Sequence, residues 1–177
     1  MRLFYILCLL CWSLTCQAKV EVYFSPSRAC EKEILSGITH AQKTIDAAVY
    51  TFTHKKIAKA LYQAHQRGIK VRILTDRKQS DYYASMAPYL FRKGVPIKIN
   101  TEHNIEHNKF VLFDQNKLIT GSYNWTFSAS NYNSENCMVI TEDETTLAAF
   151  QNRFDELWTL YDLKKSNRWF QRMLDLN

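Results

Sequence analysis

Short apolar runs alternate with stretches of helical spacing along most of this chain. Val20 to Phe24 reads as a strand, a helix is predicted over about Ala29 to Lys43, and Thr44 to Phe52 is a second extended run. A helix over about Lys55 to Gln66 stops at Gly68, and "IKVRIL" from Ile69 to Leu74 follows as a strand. A third helical stretch is predicted between Asp81 and Arg92, with Gly94 and Pro96 ending it before the short run Ile97 to Ile99. Lys109 to Asp114 and Lys117 to Thr120 flank Gln115-Asn116 as a tight hairpin, and Ser122 to Ser134 reads as a polar loop. Asn136 to Ile140 is one more strand. Thr141 with Glu144 forms a predicted capping box for a helix carrying Leu147, Phe150, Phe154 and Leu157. Trp169, Phe170, Met173 and Leu174 mark a last amphipathic helix. No repeat or low-complexity linker divides this pattern, so residues 19–177 are expected to form one α/β domain, a mixed sheet flanked by helices.

The first eighteen residues follow a different rule. Arg2 precedes an apolar run from Leu3 to Leu14, and Cys16-Gln17-Ala18 offers a cleavage site, so residues 1–18 read as a secretory signal peptide. The run is short for a bilayer span; an uncleaved membrane anchor is the alternative, and Leu14 and Thr15 disfavour lipidation of Cys16. The expected location is periplasmic or secreted. Loss of the segment leaves Cys30 and Cys137, expected as buried free thiols, with a disulfide as the alternative an exported chain allows.

Composition adds one constraint. Lys and Arg total 23 against 17 acidic residues, a net charge of +6, which suits an anionic partner such as nucleic acid or an acidic membrane surface, and equally a plain soluble basic surface.

The chemistry concentrates in "TEHNIEHNKFVLFDQNKLITGSYNW", residues 101–125. His103, Glu106 and His107 spell H-x-x-E-H, a zinc-hydrolase pattern that requires a helix to bring both histidines onto one face, and a third ligand that nothing downstream supplies. The β-branched and aromatic content of Lys109 to Asp114 argues for a strand instead, on which His107 and Lys109 share a face. An imidazole beside an ammonium suits attack on phosphorus: the histidine is a nucleophile that can leave again, and the lysine stabilises developing charge. Asp114 lies an odd number of residues from both, which points to a structural role.

"HNKFVLFDQNKLITGSYN" resembles the H-x-K-(x)4-D-(x)6-G-S motif, followed by Asn, of the phospholipase D superfamily; every position is filled, and "NSEN" with Glu135 resembles the segment that ends the site. The likeness is to the short, single-motif members, exported bacterial endonucleases and mitochondrial-type phospholipases D. It implies a covalent phosphohistidine on His107, phosphate-oxygen contacts from Lys109 and Asn124, a further polar contact from Ser122, and Glu135 orienting the imidazole. It also implies a homodimer, because the reaction needs a second histidine as general acid and base. His54 and Lys56 repeat H-x-K, but Leu61 stands where the aspartate belongs.

The remaining candidates are open to plainer readings. His103 is a loop residue that could touch substrate, while His40, His54 and His65 read as surface or packing residues. Tyr123, Trp125 and Phe127 could stack bases or line a lipid groove, or pack beneath the site. Lys55, Lys56, Lys59, Arg67, Arg77 and Lys78 could attract a polyanion or simply be solvated. The expected function is a phosphodiesterase needing no metal or cofactor, acting on DNA or RNA with little sequence preference. The alternatives are hydrolysis of phospholipid head groups and, remotely, a non-catalytic module that binds nucleic acid or membrane.

Overall fold

The structure, a computed structural model, describes residues 18–175, so the expected signal segment falls outside it apart from Ala18. The elements in chain order are β1 (Lys19–Phe24), α1 (Ala29–His40), β2 (Thr44–Val49), α2 (Lys55–Gln66), β3 (Lys70–Thr75), α3 (Arg77–Ser80), α4 (Ala87–Arg92), β4 (Ile97–Ile99), β5 (Lys109–Phe113), β6 (Lys117–Gly121), α5 (Phe127–Asn131), β7 (Asn136–Thr141), α6 (Glu144–Leu160) and α7 (Leu163–Asp175). All the strands lie in one sheet of order β1-β7-β6-β5-β2-β3-β4. β2, β3 and β4 run parallel, β5, β6, β7 and β1 pair antiparallel, and the halves meet where β2 lies antiparallel to β5 with Val49 opposite Lys109.

Alternation along the strands builds a core on each face. In β5, Val111 and Phe113 join the larger core with Ile34, Ile57 and Phe170, while Phe110 and Leu112 join Phe154 and Leu157 of α6 and Tyr161 just after it. α1 reaches the sheet through Gly37, where a Cβ would stand 2.4 Å from the Phe113 ring. The charges buried beneath α6 are paired: Arg72 holds Asp46 through two 2.7 Å bonds and stacks over Phe154.

Four local expectations change. The helix predicted between Asp81 and Arg92 forms only as α4 (Ala87–Arg92), and a separate short helix, α3, precedes it, capped by Asp76, which accepts from the Lys78 and Gln79 amides. The capping box is not formed: Thr141 ends β7, Glu142 turns the chain at φ 60°, and Asp143 caps α6 by accepting from the Thr146 amide. The loop from Ser122 to Ser134 contains α5, capped by Thr126. Cys30 and Cys137 are joined in a disulfide instead of remaining thiols, because the packing of α1 on β7 brings their Cα atoms to 6.0 Å.

Asp114 explains the hairpin. It and Gln115 adopt φ of 50° and 60°, so the turn is centred one residue earlier than Gln115-Asn116. Its carboxylate turns away from the strand and accepts from the Gln42, Lys43 and Thr44 amides at 2.7–2.8 Å. Burial pushes this carboxyl's pKa up, but the three backbone donors outweigh it and hold the pKa below the ordinary value.

Two outcomes follow for stability. Because the disulfide spans 107 residues, its reduction, or Cys137→Ser, is expected to destabilise the chain by about 2–5 kcal/mol, read as a lower urea midpoint. Asp114→Asn is expected to cost about 1–3 kcal/mol at pH 7 through lost backbone contacts. With the folded pKa depressed, that contribution is fully present above the unfolded value, about 3.9, and is lost as the pH falls from there through the lower folded value, so wild type and variant should converge only at still more acid pH in titrations of stability.

Candidate active site

One end of the sheet collects the chemistry. β2, β3, β4 and β6 finish there and β5 and β7 begin there, which brings together residues that follow or precede strands far apart in sequence. His107 is exposed and lies two residues before β5, in the approach to the strand instead of on it. Its ring stands 4.6 Å from that of Tyr50, the residue after β2. Lys109, first in β5, places Nζ 5.2 Å from the same Tyr50 ring and donates to the His107 carbonyl at 2.6 Å. Imidazole and ammonium thus share one aromatic neighbour. Burial lowers the Lys109 pKa, while Glu135 and Glu106 act in the opposite direction, so both carboxylates bear on this ammonium.

The G-S-x-N segment forms the other side. At Gly121, φ is 155° and a Cβ would meet the Asn136 carbonyl at 2.4 Å, so only glycine lets β6 come this close to the start of β7. That approach allows the Ser122 hydroxyl to donate to Glu135 at 2.6 Å and to accept from the Asn136 amide at 3.0 Å. The second Glu135 oxygen accepts from the Asn133 side chain at 3.0 Å. Within one chain Glu135 is therefore engaged by Ser122 and Asn133, and no hydrogen bond to the His107 ring is formed among the described residues. The Asn124 side-chain oxygen accepts from the Thr51 amide at 3.3 Å, which ties this segment to the end of β2.

A buried carboxylate fixes the backbone around the histidine. The Glu106 amide donates to Asp76 at 3.0 Å, one Glu106 oxygen accepts from the Asn108 amide and side chain, and the other accepts from the Tyr161 hydroxyl at 2.5 Å. Burial first, and then Glu106, push the Tyr161 hydroxyl well above the usual tyrosine range. Tyr50, Asp76 and Tyr161 carry no signal in the sequence; each sits at an element end with no motif of its own, and only strand order brings it here. Glu106 was visible only as part of H-x-x-E-H.

Several sequence candidates are placed elsewhere. The helix that H-x-x-E-H requires is absent from residues 100–108, and the His103 ring meets the Tyr161 hydroxyl at 3.1 Å. Asp114, grouped with the site by the motif, lies at the opposite end of β5 with its carboxylate on backbone amides, roughly 20 Å along the strand from His107. Trp125 is only 2% exposed and packs edge-on against Phe52, so it offers no face to a substrate. Tyr123 is likewise buried, bonded to Ser130. His54 is also buried, with Nε2 3.6 Å from Glu31. Burial lowers its pKa against the opposing pull of that carboxylate.

An accessible imidazole beside a half-buried ammonium, with a serine hydroxyl, a carboxylate and an amide on adjoining strands, can attack a tetrahedral anion and neutralise its oxygens. Comparison with known proteins agrees with this chemistry. The family model described as "Cardiolipin synthase, PLD-like domain" matches residues 34–158. A phospholipase D of Rickettsia conorii is 35% identical over 136 residues, which are 77% of this chain and 68% of that protein. The mitochondrial cardiolipin hydrolase of Xenopus tropicalis is 34% identical over 125 residues, 71% of this chain and 59% of its own length. Nuc from Salmonella typhimurium, a phospholipase D family member of known structure, superposes with a TM-score of 0.77 at 31% identity, covering 82% of this chain and 97% of that one. The chain belongs to the phospholipase D superfamily of phosphodiester hydrolases, shown by a family match that spans most of its length and by these identities across more than two thirds of it.

Proposed function

We propose that the protein is an exported endonuclease that cuts the DNA or RNA backbone with little sequence preference, through a covalent phosphohistidine and without a metal. The observation that carries this reading is the exposed His107 ring beside Lys109, both against Tyr50. An imidazole nitrogen attacks phosphorus, and the bond to one ester oxygen breaks as a second histidine donates a proton to it. Water then attacks the phosphohistidine, gives its proton back to the second histidine, and releases a phosphomonoester and free His107. Lys109, with the Asn124 amide, neutralises the non-bridging oxygens. The net charge of +6 favours a polynucleotide, and the likeness to Nuc over most of both chains is compatible with that reading. A phospholipid head group is the second reading, favoured by the phospholipase D and cardiolipin hydrolase relatives.

The second histidine is assigned to a partner copy. His54 is buried and the His103 ring is turned to Tyr161, so neither stands free to serve His107. β1 supplies an apolar surface for pairing: Val20, Val22 and Phe24 are 50%, 51% and 64% exposed on one face of an edge strand. Phe24 lies at the end of β1 that adjoins the site, beside Asn136 of β7.

The protein lacking residues 1–18 is expected to nick plasmid DNA in excess EDTA. His107→Ala should lose roughly 10^4-fold or more of that activity and Lys109→Met about 10²–10³-fold. Abolition by EDTA would overturn the metal-free mechanism, and release of head groups from phospholipid vesicles without nicking would select the lipid reading. Light scattering is expected to give twice the chain mass, and Val22→Asp with Phe24→Asp to give monomers with little activity; a fully active monomer would sink the shared site.

A further inference from the structure

The last helix, α7, lies beyond residues 34–158 of the family match and carries Lys164, Lys165, Arg168 and Arg172 against the single acid Asp175. Spacings of four place Lys164, Arg168 and Arg172 on one stripe, while Phe170 anchors the opposite side in the larger core and half-buried Trp169 packs against that core from the flank. With Arg77 at the start of α3, Arg168 and Arg172 edge a groove of about 390 Å³ floored by Trp169 and Ile99. Arg77 stacks over Trp169 at 5.8 Å, and the indole N–H is held by Ser80 at 3.1 Å.

These arginines differ from others in the chain. Arg28, Arg72 and Arg153 are ion-paired with Glu31, Asp46 and Glu156, and Arg67 donates to carbonyls of α1. Arg77, Arg168 and Arg172 have no carboxylate within ion-pair distance among the described residues; Glu102 is taken by Lys165 at 3.6 Å, and Asp162 accepts from the Lys165 amide. Three guanidinium groups edging one groove, none of them in an ion pair although Asp162 lies within electrostatic reach of Arg168, fit the phosphates of a polyanion. On the other flank of α7, against Met173 and Leu174, a second recess carries Tyr82, Tyr83 and Arg92 beside Asp81. The two tyrosine rings lie 4.5 Å apart, and Tyr83 is 90% exposed, an aromatic face open to stacking.

We propose that α7, Arg77 and the Tyr82–Tyr83 pair form an accessory site for a single-stranded polynucleotide, with the arginines on its phosphates and the tyrosines on its bases. This rests on the nuclease reading above. Its position suits a strand that continues to His107: Thr101, on the rim of the groove, follows β4, and His107 precedes β5, at the same end of the sheet and three strand spacings apart, about 14 Å. Gln79 of α3 bridges the two regions, bonding the Tyr50 hydroxyl through its side chain and the Tyr82 amide through its carbonyl. Nucleic acid is favoured over a membrane because the cations edge a recess, the indole is tied down, and the exposed rings stand in a second recess across α7.

The test is fluorescence anisotropy with a labelled single-stranded oligonucleotide in the His107→Ala background. Adding Arg77→Ala, Arg168→Ala and Arg172→Ala is expected to weaken binding more than about tenfold and to flatten the slope of log K against log salt by about 2, three contacts at roughly 0.7 each. Tyr83→Ala should weaken single-strand binding about tenfold and leave duplex binding unchanged. With His107 intact, the triple variant should hydrolyse bis(4-nitrophenyl) phosphate at the wild-type rate. Unchanged affinity and slope overturn the proposal, as does an equal loss in Lys32→Ala/Lys43→Ala/Lys70→Ala, which removes the same charge elsewhere. A loss confined to anionic phospholipid vesicles assigns the surface to a membrane and overturns it too. Binding through the groove without cleavage by wild type would sink the nuclease reading alone; cleavage with no effect of the triple variant would sink the groove alone.

Discussion

The antiparallel pairing of β2 with β5 is the constraint on which the rest depends. It joins a parallel half to an antiparallel half, and its register, Val49 opposite Lys109, sets Tyr50 beside His107. The parallel strands β2, β3 and β4 all deliver their carboxyl ends to the same side, the usual place for a site in sheets of this kind. A slip of one residue would turn Lys109 to the opposite face and exchange the apolar sets of the two cores, so the packing that stabilises the sheet also holds the reacting groups in place.

Charge is arranged with the same economy. Asp46 and Arg72 neutralise each other beneath α6, and Lys98 donates to the Trp158 and Tyr161 carbonyls at the end of that helix. At the site the balance is left incomplete. Lys109 is half-buried with its Nζ on a backbone carbonyl, and Glu135 is bonded to neutral side chains, so the ammonium retains charge for an incoming anion. Glu106, Asp76 and Tyr161 form a firm base under this region, because each carboxylate is buried and satisfied by donors from other elements.

Much of the fold was legible along the chain. α2 and β4 occupy the expected residues, and the hairpin of β5 and β6 was visible from its β-branched and aromatic runs. The misses were at boundaries. Asp143 caps α6 in place of Thr141, because capping depends on which side chain the preceding turn aims at the free amides. The disulfide is not legible for a related reason: Cys30 and Cys137 are 107 residues apart, and nothing local indicates that α1 crosses β7 at bonding distance.

The site divides in the same way. The sequence by itself determined the nucleophile candidate and its ammonium neighbour, since His107, Lys109, Ser122, Asn124 and Glu135 stand at fixed spacings within one continuous segment. It also argued against a shared metal in H-x-x-E-H, because strand-forming residues after His107 leave no helix to carry two histidines on one face. Tertiary structure alone decided that Asp114 braces the far end of the sheet, that Trp125 is core, that Tyr50 meets the His107 ring, and that Asp76 and Tyr161 hold Glu106 next to it. Spacing along a chain fixes which neighbours share a strand face; strand order across the sheet, set by packing of both cores, decides which distant residues meet there.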